Sequence, residues 1–149
     1  MADVPDLEWG TAWAGDEMIT LEDYFGKWIG HPDANVQRKI HAQALLECVN
    51  ALLFEYPEDV PVNPQTNSYV SGATYGGFRP QDCPQGAPNS SHKEGMAIDI
   101  YDPHGDRDKW LTDDILEEYG LYREHPDHTI HWCHLSIRPP GSGKRTFFP

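Results

Sequence analysis

The stretch Ser90-Ser-His-Lys-Glu-Gly-Met-Ala-Ile-Asp-Ile100 decides how the rest of the chain is read. Turn-forming and polar residues run as far as Gly95. From Met96 the pattern alternates, with Met96, Ile98 and Ile100 apolar and Ala97, Asp99 and Tyr101 between and after them. Successive side chains on a strand point to opposite faces, so this is a loop that delivers His92 followed by a strand that carries Asp99 on the face away from the core. A carboxylate set into such a strand needs a partner. The alternatives are a salt bridge, a hydrogen-bonded pairing, or a divalent metal held jointly with His92. Zinc takes imidazole nitrogen and carboxylate oxygen, and a catalytic zinc site usually has three protein ligands and an open position.

A third ligand is available in Ile130-His-Trp-Cys-His-Leu-Ser-Ile137. This segment also reads as a strand, with Cys133, Leu135 and Ile137 on one face and Trp132, His134 and Ser136 on the other. If both apolar faces pack inward, His134 emerges on the same side of the sheet as Asp99. Spacing alone leaves a salt-bridged or hydrogen-bonded Asp99 beside the metal reading, in which the ligands would be His92, Asp99 and His134 and the sharpest candidate ion Zn2+.

The pattern Ser90-x-His92-x-x-Gly95-x-Ala97-x-Asp99-Ile100, followed by His134, resembles the zinc D-alanyl-D-alanine carboxypeptidase family, peptidase family M15, and in particular its small phage-encoded members. Gly77-Phe78-Arg79-Pro80 is similar to the Gly-Tyr-Arg segment that these enzymes carry before the His/Asp motif, and the resemblance spans roughly Val36 to the C-terminus. It implies a zinc metallopeptidase acting on the peptide stems of bacterial peptidoglycan, as a phage endolysin, a virion-associated lysin or a D,D-carboxypeptidase-like enzyme. It places Arg79 where a planar guanidinium holds a substrate carbonyl or carboxylate, and Ser90 where it helps to position substrate. Without the resemblance, Arg79 reads as a surface or salt-bridged arginine and Ser90 as part of a hydrogen-bonded turn.

Related enzymes place a Glu or a His three residues before the third ligand, which here is His131, the first candidate for the general base. Glu124 is the second. Residues three apart on an unbroken strand face opposite sides, so His131 reaches the site only where the chain is bulged or still loop-like. The rival reading is a non-catalytic zinc-containing module of the same fold, such as a phage tail or assembly component. A peptidase for some other small peptide is a third.

Composition bounds these readings. A chain of 149 residues is long enough for one buried core, and the expected division is an N-terminal arm, 1–19, and a single domain, 20–149. A formal charge of -13 argues against a nucleic-acid partner, since only the tail from Arg138 to Arg145 is locally basic. No run is long enough to cross a bilayer, and the start Met-Ala-Asp-Val-Pro-Asp-Leu-Glu has neither the basic nor the apolar region of a secretory signal. Synthesis in the cytoplasm is expected. Access to the cell wall would then require a membrane-disrupting helper or delivery in a virion, with virion or tail subunits as partners. Cys48, Cys83 and Cys133 are scattered and do not form a disulfide framework.

The remaining chain sketches the scaffold. Thr20 caps a short helix at Leu21–Phe25, and His31 beside Pro32 reads as a surface turn residue. A long helix from about Ala34 to Glu55 carries Val36, Ile40, Ala44, Leu45, Cys48, Val49 and Leu52 as its apolar stripe, with Cys48 buried and His41 solvated. Asn67 to Gly72 reads as a short strand, and Gly76 to Arg79 as its neighbour or as a turn. Asp102 to Asp108 reads as an exposed turn with His104 facing solvent. Thr112 caps a helix from Asp113 to Tyr119, a loop rich in ionisable groups follows to Ile130, and Arg145 to Phe148 forms a terminal strand. The expected fold class is α+β, with a small, mainly antiparallel sheet, the long helix packed on one face and the zinc site on the other.

Overall fold

The computed structural model describes residues 18–149 apart from Pro88. The arm reading of 1–19 lies, for residues 1–17, outside the described residues. Ile19 already belongs to the core: it is fully buried, and its backbone exchanges two hydrogen bonds with the Asn50 side chain, at 2.9 and 3.0 Å.

The fold is α+β. Helix α1 spans Leu21–Phe25, α2 Val36–Glu55, α3 Asp106–Trp110 and α4 Asp113–Glu118; strands are β1 Ala97–Tyr101, β2 Tyr122–Glu124, β3 Trp132–Ser136 and β4 Thr146–Phe147. The sheet order is β1-β3-β2-β4, antiparallel except for the parallel β2-β4 pair. The expected caps at Thr20 and Thr112 are present, and Asn35 adds one. Thr20 and Asp23 form a reciprocal capping box on α1, Asn35 accepts from Arg38 N–H on α2, and Thr112 accepts from Ile115 N–H on α4.

Helix α2 packs its apolar side with Ile98, Ile100, Cys133 and Leu135 of the sheet in one core, which Tyr24, Phe25 and Phe78 also enter. The buried side of α2 is Ala42, Leu45, Leu46, Val49, Leu52 and Leu53, whereas Val36 and Ile40 are 75% and 63% exposed. Steps of four residues overshoot a 3.6-residue turn by about 40° each, so a stripe traced from Val36 through Ile40 and Ala44 to Cys48 drifts round the helix. Ile40 ends about half a turn away from Val49. Cys48 is accordingly only partly buried.

Three further segments depart from expectation. Asn67 to Gly72 makes only isolated bridges, Asn63 to Ser68 and Val70 to Ile100, but its backbone covers the outer edge of β1: Tyr101 N–H donates to Tyr69 O, and Ser71 N–H to Asp99 O, each at 2.8 Å. The segment 102–108 is buried in part rather than an exposed turn. Asp102 is fully buried because its carboxylate accepts from the N–H groups of Arg107 and Asp108 at the start of α3, both at 3.1 Å, and faces the Arg107 guanidinium at 2.6 Å; His104 is exposed. The ionisable segment before Ile130 contains a strand, β2, inserted between β3 and β4. Among the described residues, no helix is long and apolar enough to cross a membrane.

Candidate metal centre

Strand register brings the site together. β1 and β3 pair with Asp99 directly opposite His134, on the face away from Ile98, Ile100 and Leu135. Directly opposed side chains on an antiparallel pair lie on the same face, so two residues 35 positions apart in sequence become neighbours. Ser91–Glu94 forms a single 3-10 turn just before β1, and this turn carries His92 to the same place.

Two close approaches hold the turn. Gly95 ends it with φ +76°, and a Cβ there would lie 2.6 Å from Arg38 O of α2, so the position requires glycine for both reasons. His41 of α2 is not free in solvent: its Nδ1 lies 2.8 Å from Glu94 O, and Arg38 adds an ion pair to Glu94 at 3.8 Å. The long helix thus anchors the histidine-bearing turn as well as the core. On the other side, Gly77 sits so tightly against α1 that a Cβ would lie 2.0 Å from Tyr24 O. That closeness brings the Gly77 carbonyl within 2.8 Å of His92 Nδ1. The carbonyl accepts, so Nδ1 carries the proton and Nε2 is left with its lone pair facing Asp99 Oδ1 at 3.4 Å.

His134 Nδ1 lies 2.9 Å from the same Asp99 oxygen, and the two imidazole rings are 5.2 Å apart, centre to centre. One ligand atom from each of His92, Asp99 and His134 falls within 4.8 Å of the other two. His92 is buried, and Asp99 and His134 are nearly so, with side chains 12% exposed. Burial pushes the His92 imidazole below its ordinary pKa, despite the opposing charge of Asp99, which keeps the ring neutral as a ligand must be. Burial alone would raise the Asp99 carboxyl, but pairing with an imidazole of His92 or His134 whenever one of them is protonated toward it outweighs this, and the group titrates below the usual carboxylate range. Two ring nitrogens and an anionic oxygen facing one another need a proton or a cation between them. This donor set fits a divalent metal such as zinc, with the Gly77 carbonyl as the outer partner that fixes the His92 ring.

Arg79 stands at the rim of the group, with Nη2 3.5 Å from Asp99 Oδ2 and Nε donating to Tyr75 O at 2.8 Å. Ser90 caps the 3-10 turn, its Oγ accepting from His92 N–H at 3.3 Å. His131 does not join the group. It precedes β3, is exposed, and its Nδ1 lies 3.4 Å from Pro103 O. Glu124 ends β2, half-buried.

A second set of ligand-type atoms, from His31, Asp33 and Asp82, also lies within 4.8 Å of one another. Here His31 Nδ1 accepts from Asp33 N–H at 3.0 Å and Asp33 Oδ2 accepts from Gln81 N–H at 2.9 Å, so these groups lock two turns together. The supporting residues Gly77, His41 and Tyr24 were not legible as such in sequence; Gly77 alone carried a signal, through its place before Phe78 and Arg79.

Comparison of the chain with protein-family models, with curated proteins and with solved structures finds no match.

Proposed function

We propose that the chain is a zinc metallopeptidase that hydrolyses peptide bonds in the stem peptides of bacterial peptidoglycan, as a phage lysin or a D,D-carboxypeptidase-like enzyme. The observation that carries this reading is the convergence of His92, Asp99 and His134 on one face of the sheet. The substrate class comes from the resemblance of the motifs around these residues and Arg79 to peptidase family M15. When bound, zinc supplies an acidified water and polarises the scissile carbonyl.

The chain's own residues do the rest. His92 and His134 offer ring nitrogens and Asp99 an anionic oxygen, and these three would hold the ion. Arg79, anchored through Nε on Tyr75 O, keeps its remaining donors beside the site. Its role is to bind the carbonyl or terminal carboxylate of the peptide and to stabilise the negative charge that grows on the carbonyl oxygen. Ser90 holds the His92 turn through its hydroxyl, and its proposed role is to help position substrate.

The position of His131, outside the ligand group, favours one rival: a non-catalytic zinc-containing virion or tail module of the same fold. The two readings separate on one experiment. Zinc content of the purified protein is measured, then defined muropeptides are incubated with it and the products identified by mass spectrometry. Cleavage of a stem-peptide bond that is lost in His92→Ala supports the peptidase; about one zinc per chain with no cleavage of any muropeptide tested supports the module and defeats the proposal.

A further inference from the structure

A peptidase of this kind needs a group that takes a proton from the attacking water, and the sheet register identifies one that the motif spacing does not. β2 and β3 pair with Tyr122 opposite Ser136 and Arg123 opposite Leu135. The pairing ends there, and the same register continued by one residue sets Glu124 across from His134. On the other side of β2, Glu124 pairs with Phe147 of β4. Asp99, His134, Glu124 and Phe147 therefore form one row across all four strands, and side chains in such a row share a face. The ring contact between His134 and Phe147, at 6.0 Å with Glu124 in the strand between them, independently shows that the row faces one way. Arg123 goes to the opposite side, where its guanidinium meets Asp108.

Glu124 is half-buried, and among the described residues its carboxylate has no hydrogen bond and no ion pair. It stands outside the ligand group itself. Opposed Cβ atoms on paired strands are roughly 5 Å apart, which sets Glu124 beside His134 on the face that carries the ligand group. His131 is different on each count. It lies three residues before His134, roughly 10 Å along the chain, and its ring is turned to Pro103 O.

We propose that Glu124, rather than His131, is the general base and acid of this site. The inference rests on the peptidase reading. The Glu124 carboxylate accepts one proton of the water as the water oxygen bonds to the carbonyl carbon. It then gives that proton to the leaving nitrogen as the C–N bond breaks, so one water is consumed and an acid and an amine are released.

The test compares full-length wild type with Glu124→Gln, Glu124→Asp and His131→Ala. Expected for E124Q is zinc affinity within about threefold of wild type with kcat on a defined muropeptide lower by about 10²–10⁴-fold, E124D falling between, and H131A within about fivefold. A second readout is independent of turnover: the pH at which the visible spectrum of cobalt-loaded protein changes should move by more than one unit in E124Q and stay put in H131A. Retention of more than a tenth of wild-type kcat by E124Q, or an unmoved spectral transition, overturns the assignment. If wild type cleaves no muropeptide but E124Q still shifts the transition, the peptidase reading fails while the placement of Glu124 as the proton acceptor of the metal site stands.

Discussion

The β1-β3 pair carries two buried carboxylates, Asp99 in mid-strand and Asp102 just past the strand end, and their surroundings are unlike. Asp102 has its partners within the chain: two backbone N–H groups at the start of α3 donate to it, and the Arg107 guanidinium lies in ion-pair contact. Beside it, Asp108 accepts from Thr129 and faces Arg123, closing a network of fixed donors. Asp99 instead meets two imidazole nitrogens, Nε2 of His92 at 3.4 Å and Nδ1 of His134 at 2.9 Å, and a single guanidinium at 3.5 Å. The difference teaches how a structural ion-pair cluster is told from a metal centre. In the first the cation is part of the chain; in the second two imidazole nitrogens and a carboxylate oxygen face one another, a set compatible with a cation from outside.

The largest expected effect lies at the Asp99 cluster. Removing a ligand, as in His134→Ala or Asp99→Ala, should weaken zinc binding by well over the roughly 100-fold that loss of a supporting partner costs. Competition with a chelator measures it, and affinity within tenfold of wild type would mean that the two clusters are of the same kind. Asp102→Ala should act the other way, costing about 3–5 kcal/mol of folding stability by leaving Arg107 buried and unpaired. Urea unfolding of the metal-free protein reads this, while the folded fraction keeps its zinc affinity.

Gly77→Ala tests the join between core and site. A Cβ there collides with Tyr24 O, so the carbonyl that orients His92 must move, and zinc affinity should fall by about 10–100-fold. His41→Ala removes the bond to Glu94 O and should cost about 1 kcal/mol, seen as a small drop in thermal midpoint with zinc binding largely kept. The smallest effect is chemical. Burial, with the charges of Asp108 and Asp102, pushes the Cys133 thiol well above its ordinary pKa, so a thiol reagent at pH 8 should leave Cys133 unmodified until the protein is unfolded.

That Asp99 and His134 share a face was legible because a strand has a period of two. Once Ile98 and Ile100 face the core, Asp99 has only one side to occupy, and the same holds for His134 against Cys133 and Leu135. The helix was legible in extent but not in facing, since Val36 and Ile40 satisfy four-residue spacing yet lie round the helix from Val49. Asp102 was unreadable for another reason: Asp-Pro-His-Gly looks like any polar turn, and its burial depends on Arg107 and on the α3 N-terminus arriving beside it.

Local order along the chain therefore determined which residues are strand, which are long helix, and which two side chains of β1 and β3 face away from the core. It could not determine which strand lies beside which. That β2 inserts between β3 and β4, bringing Glu124 and Phe147 into line with His134 and leaving His131 outside, was decided by tertiary pairing alone. The reason is physical: alternation is a property of a single strand, whereas a row across a sheet is fixed by hydrogen bonds between segments that no spacing in the sequence relates.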